Sequence, residues 1–123
     1  MKMSKILSFM KKGDSLLKEA NIDIINNCFN KAVSAYYFAV EAYANAIFLV
    51  KKQKTRGFRS RVAIIRNIFG DETMRKFEKL HDLRRKADHE EHIMNKENAN
   101  EAKNLSKELI NKFRRYLQKQ AII

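Results

Sequence analysis

The sequence predicts an all-α fold: an antiparallel up-and-down bundle of four to five helices, one domain over residues 1–123. Three observations predict it. The chain has no Pro and only three Gly in 123 residues, so the turn chemistry that a many-stranded β fold needs at regular spacing is missing. Apolar residues recur every third or fourth position, the period of a helix with one buried face. Hydrophobic residues make up 45% of the chain, enough for a core, whereas two independent cores in so short a chain would each be marginal.

The first helix is expected from about Ser4 to Ala20, with Ile6, Leu7, Phe9, Met10, Leu16 and Leu17 as its apolar positions and a weak point at Gly13-Asp14. The second starts near Asn21 or Ile22, where Asn21 can cap, and meets nothing that breaks a helix before about Lys52. At about 1.5 Å per residue it would form a spine of roughly 45 Å. The third covers about Phe58 to Phe69 and stops at Gly70, a natural C-terminal residue. Asp71 can cap the fourth, which runs to about His89. The fifth runs from near Asn95 to about Gln120, with Ala99, Ala102, Leu105, Leu109 and Phe113 on its buried stripe.

The second helix also has the length of a membrane span. From Ala32 to Val50 only Ser34, Glu41 and Asn45 are not apolar. An ionised Glu41 at its middle would cost roughly 2.5 kcal/mol or more in a bilayer, and the stripes of the other helices need something to cover. The segment is therefore read as the centre of a bundle, with no membrane partner. Lys11 and Lys12 interrupt the N-terminal apolar stretch, so no signal peptide is expected. One Cys, Cys28, supports neither a disulfide framework nor a structural zinc site. It points to a reducing, cytoplasmic setting. Gly13, Gly57 and Gly70 lie too far apart for a phosphate-cradling loop.

The formal charge is +12, from 26 basic and 14 acidic residues. It is unevenly placed. Lys51, Lys52, Lys54, Arg56, Arg59, Arg61 and Arg66 follow one another with no acid between Glu41 and Asp71. Such a stretch suits RNA phosphates, and equally an acidic protein. Tyr36, Tyr37, Phe38 and Tyr43 have the chemistry of base-stacking platforms, but their helical spacing in an apolar segment assigns them to the core.

The fourth helix carries the densest chemistry, in the run from His81 to His92. On a helical wheel Phe77, Leu80, Arg84, Ala87 and Asp88 share one face. Arg84 thus lies on an inward stripe, where a guanidinium must find a partner. Asp88, four residues on, is one candidate; a phosphate gripped by the planar fork is another. His89 lies about 140° from Arg84 on a regular helix. For both to serve one site, the helix must end or distort near Asp88, or a second copy must complete the site. His89 and His92 with Glu90 or Glu91 lack a third well-spaced ligand, so no metal site and no cofactor are expected.

Here the chain resembles a family. Ser34-Ala35-Tyr36-Tyr37-Phe38-Ala39, followed by Ala42, Ala44 and Ala46, is similar to the long second helix of HEPN domains, and Leu83-Arg84-Arg85-Lys86-Ala87-Asp88-His89 resembles their signature, an Arg followed four to six residues later by His. The resemblance covers about Leu16 to Leu117. It implies a helical bundle that dimerises, with the signature Arg and His of two protomers facing one cleft. It further implies a metal-independent endoribonuclease of the kind found in HEPN/nucleotidyltransferase toxin–antitoxin pairs, with a nucleotidyltransferase antitoxin as partner and RNA as substrate. By position, Arg84 and His89 become the catalytic candidates and Asp88 their acidic neighbour. The alternative is a non-catalytic module that binds a nucleotide or the nucleotidyltransferase through the same cleft. Members with the Leu-Arg-x-x-Ala-Asp setting often carry Tyr where this chain has His89, and the residue after the Arg is usually uncharged, whereas here it is Arg85. A second register, Arg85 to His92, also fits the loose pattern. The first is preferred because Ala87-Asp88 matches and Arg84 lies on the inward stripe.

Overall fold

A computed structural model of the chain describes residues 2–89 and 91–120. Five helices follow in order: α1 (Lys2–Ile25), α2 (Phe29–Val50), α3 (Gly57–Phe69), α4 (Asp71–Asp88) and α5 (Lys96–Lys119). No strand occurs among the described residues, and the all-α bundle predicted from the sequence is the fold observed.

The first two helices divide elsewhere than expected. Helix α1 runs unbroken through Gly13, and the chain turns at Asn26-Asn27-Cys28. Asn27 takes the left-handed conformation, φ 59°, which Asn tolerates better than most residues. The Cys28 N–H then donates to the Asp23 carbonyl at 2.8 Å and the Asn27 N–H to that of Ile24 at 3.0 Å, a glycine-type helix ending made without glycine. Asn21 therefore lies inside α1 and caps nothing. Helix α2, with 22 residues, is about 33 Å long rather than 45 Å. It ends the same way at Lys52, φ 54°, with Gln53 N–H on the Phe48 carbonyl at 3.0 Å and Lys52 N–H on that of Leu49 at 3.1 Å.

Gly13 has a packing role instead. A Cβ there would lie 2.6 Å from the Tyr43 ring, so the absent side chain lets α1 approach α2 closely. Gly70, φ 94°, both ends α3 and precedes α4. Asp71 is the first residue of α4, not its cap; its carboxylate takes the Arg66 Nε at 2.8 Å and sits at the positive end of the helix dipole. Asn95 caps α5 as expected, in a reciprocal box with Asn98.

Cross-helix contacts give the directions. Asn21–Tyr36 and Asp14–Tyr43 run antiparallel between α1 and α2, and Ser34–Asp88 and Tyr37–His81 do so between α2 and α4. Lys76–Glu108 and Lys79–Glu101 pair α4 with α5, again antiparallel. Helix α2 is central: Ala32, Val33, Tyr36, Ala39, Val40, Tyr43, Ala46 and Ile47 are all buried. One continuous core joins them to Ile65, Phe77, Leu80, Leu109, Phe113 and Leu117. By length and composition α2 could cross a membrane, yet 61% of that apolar window is buried within the bundle. The alanines explain how: they let three helices close on one axis without large side chains in between.

Candidate functional site at the end of helix α4

The one acidic residue of the apolar segment is partnered. Glu41 Oε2 takes the Arg61 Nη1 at 2.7 Å and the Tyr37 hydroxyl at 3.1 Å. Burial first, and then the Glu41 charge, push the Tyr37 phenol well above its usual range, so it stays a hydrogen-bond donor. Arg61, expected among the RNA-binding residues, is turned inward by this pair, with its side chain 27% exposed. Arg66 is held by Asp71. The other five members of the basic stretch, Lys51, Lys52, Lys54, Arg56 and Arg59, are exposed. Of the seven, only Arg61 turns inward, and Arg66 stays 62% exposed beside Asp71.

One turn along α2, the row continues with Tyr37, Phe38 and Ser34. Arg84 lies over it. Its guanidinium carbon is 5.2 Å from the Tyr37 ring centre and 5.1 Å from that of Phe38, within the range of cation–π attraction. Nη1 faces Asp88 Oδ2 at 3.4 Å, and Asp88 Oδ1 takes the Ser34 hydroxyl at 2.6 Å. The Nε of Arg84 is buried with no partner. Arg84 and Asp88 are therefore brought together on the inward side of α4, as the wheel required.

His89 is not with them. Helix α4 ends at Asp88, and His89 is extended, φ −79° and ψ 134°. Its ring stands 6.1 Å from that of His92, nearly perpendicular. His89 and His92 share a hollow of about 270 Å³ with Asp82, Arg85 and Lys86. Within the chain the two registers separate: Arg84 packs on α2, while Arg85 shares a surface with both histidines. Glu90 lies outside the described residues. Among the described residues no three of His, Cys, Asp and Glu come together as a metal cage.

Two positioning residues escaped the sequence reading. Asn30, on the first turn of α2, ties down the segment after α4: its Nδ2 donates to the carbonyls of Ala87 at 2.7 Å and His92 at 3.0 Å, and its Oδ1 accepts from the Met94 N–H at 2.9 Å. His81 stacks on Phe58, ring centres 3.6 Å apart at 15°, and meets Tyr37 edge-on at 5.4 Å. Burial, and then the charge of Arg84, lower its pKa. Asn30 is a single polar residue in an apolar helix and His81 was read only as part of a charged run; the tertiary contacts distinguish them.

A bundle of this order, with an Arg and a His either side of the end of its fourth helix, is the context that the sequence resemblance implied. The family model of the HEPN domain matches residues 6–116. The chain belongs to the HEPN family. The match spans all five helices, from the first turns of α1 to the last turns of α5. HEPN domains are nuclease and nucleotide-binding modules, and in this one the signature Arg84 lies between α2 and α4 while His89 lies just past the end of α4. No curated protein matches the chain.

Proposed function

We propose that this HEPN domain is a metal-independent endoribonuclease of the HEPN/nucleotidyltransferase toxin–antitoxin kind, in which Arg84 and His89 of two protomers meet at one cleft. The observation that carries the reading is the ending of α4 at Asp88. It sends His89 outward while Arg84 stays on the α2 side, so each protomer has half of an acid–base and charge-stabilising pair to offer. A twofold dimer would bring two such halves together.

The chemistry follows from the side chains. RNA carries its nucleophile, the 2′-hydroxyl. An imidazole, the side chain that titrates nearest neutrality, removes its proton. The 2′-oxygen attacks the adjacent phosphorus, the bond to the 5′-oxygen breaks, and the leaving oxygen takes a proton from a protonated imidazole or water. The products are a 2′,3′-cyclic phosphate and a 5′-hydroxyl. Arg84 would offer its fork to the extra negative charge of the phosphorane, with Asp88 fixing its orientation.

A second reading is favoured by one observation. Asp88 is already engaged by both Ser34 and Arg84, a cluster largely satisfied within one protomer. That suits a non-catalytic module binding a nucleotide or a nucleotidyltransferase partner. The test is single-stranded RNA with purified protein in EDTA. Cleavage to cyclic-phosphate ends, lost in His89→Ala and in Arg84→Ala, supports the nuclease. Binding of RNA or nucleotide without cleavage supports the second reading. Growth arrest on expression, relieved by His89→Ala or by a co-expressed nucleotidyltransferase, tests the toxin role.

A further inference from the structure

On the outer side of α4, away from Arg84, an open groove of about 480 Å³ runs between the start of α3 and the middle of α4. Its aromatic members are Phe58 and His81, stacked on each other and both partly exposed. The pair is fixed from behind. Phe58 also stacks on the buried Phe77, ring centres 5.4 Å apart, and His81 abuts the buried Tyr37. Rings held in this way need no ordering when a flat ligand lies against them.

The rim is cationic. Arg59, Arg75 and Arg85 line the groove, and no carboxylate lies within 4.0 Å of any of them among the described residues. Lys79 adds a fourth cation, paired with Glu101 at 2.7 Å. Against these stand two acids, Glu78 and Asp82. Three guanidiniums around an aromatic face, with no carboxylate that close among the described residues, make a combination that neither the core nor the helix surface requires. A solvated charged face does not need the rings, and a core pair does not need the cations.

The groove is also continuous with the histidine hollow. Asp82 and Arg85 line both. From His81 to His89 the rise along α4 is about 12 Å, a distance that a few nucleotides cover. A charged groove that tracks a phosphate backbone, with aromatic side chains against which bases stack, is how proteins hold single strands without reading sequence.

We infer that the Phe58–His81 pair, rimmed by Arg59, Arg75 and Arg85, is a stacking subsite for a base of single-stranded RNA, which then runs along α4 toward His89 and His92. The choice of RNA rests on the proposed nuclease reading; the groove itself is a binding claim that can fail or stand apart from it. Tyr36, Tyr37 and Tyr43 are core, each about 1% exposed, whereas Phe38, also expected in the core, is 37% exposed. The base-binding rings are instead an unmatched pair from two different helices. Burial, and then the charge of Arg84, disfavour the charged form of His81, in keeping with a stacking role.

The test is fluorescence anisotropy with a short fluorescein-labelled oligouridylate, in EDTA, on full-length His89→Ala protein, which separates binding from cutting. Adding His81→Ala should weaken binding about 5- to 100-fold, the range of one lost base stack, while His81→Phe should hold affinity near the parent. Arg59→Gln with Arg75→Gln should flatten the salt dependence. Circular dichroism melts establish that each variant is folded. Equal affinity of His81→Ala and its parent overturns the inference, as does binding of duplex RNA with the same tightness and the same indifference to His81. Tighter, His81-dependent binding of an acidic peptide such as polyglutamate overturns it in favour of a protein partner. Should wild-type protein cut RNA while His81→Ala binds unchanged, the subsite falls and the nuclease stands. Should wild type bind with His81 dependence but never cut, the reverse holds.

Discussion

Arg61 Nη1 lies 2.7 Å from Glu41 Oε2, and this pair joins α3 to the middle of the most apolar helix in the chain. Neither side chain is fully buried, at 27% and 22% exposed, so the pair contributes less than a fully buried one would. Removing one partner is still costly. The Arg61 Nε is already buried and, among the described residues, without a hydrogen bond, and without the Glu41 carboxylate the half-buried guanidinium loses its counter-charge. Glu41→Gln is expected to destabilise the fold by about 1–3 kcal/mol, read from urea unfolding. Glu41→Gln combined with Arg61→Met should recover part of that loss, because the second change removes the stranded charge. A double mutant whose cost is the plain sum of the two singles would show that the pair does not act as a unit.

Asn30 makes a second prediction. Its amide bridges the last turn of α4 and the segment that leads into α5, with two carbonyls accepting from Nδ2 and one N–H donating to Oδ1. Stranding backbone groups that are out of water costs about 1–3 kcal/mol. Asn30→Ala should lower stability by that order and speed amide exchange of Met94 ahead of global unfolding. If cleavage depends on where His89 is held, the same variant lowers turnover more than it lowers RNA affinity. Unchanged exchange at Met94 would remove Asn30 from the positioning role.

The fold was legible because helical period and the lack of Pro act over long windows, where single residues matter little. The ends of α3, α4 and α5 were read to within about two residues from Gly70 and Asn95. The α1–α2 turn was misplaced because Asn21 has the chemistry of a helix cap, whereas it lies inside α1 and accepts from the Tyr36 hydroxyl. Gly13, the expected weak point, has the lowest helix propensity in α1; close packing against Tyr43 overrides it. The turn instead uses Asn27 in a left-handed conformation, a weaker signal than Gly. The site was legible in part. The inward position of Arg84 follows from the wheel, and the requirement that the helix end near Asp88 was met. Asn30, His81 and the partner of Glu41 were not legible, since each depends on residues 20 to 64 positions away. Arg61 was read as part of the basic surface because charge counts along a chain carry no information on direction.

The core tyrosines give the last prediction, in alkaline solution. Burial first raises the phenols of Tyr36 and Tyr43, each to about 12. The Asp23 charge adds to this at Tyr36, and a hydrogen bond to Asp14 adds to it at Tyr43, partly offset by Arg114. Tyr37 is pushed higher still. In the unfolded chain these groups titrate near 10. Between about pH 10 and 12 the unfolded state has lost protons that the folded state retains, so stability falls as pH rises through this window and is fully present below it. Urea midpoints should therefore drop steadily above pH 10, and phenolate absorbance should appear together with loss of helix. Tyr43→Phe removes one titrating group and should make the decline with pH shallower, although the substitution itself lowers stability by releasing Asp14 and Arg114. Phenolate absorbance from most of the four tyrosines by pH 10, with the helices intact, would contradict the burial that the bundle assigns to them.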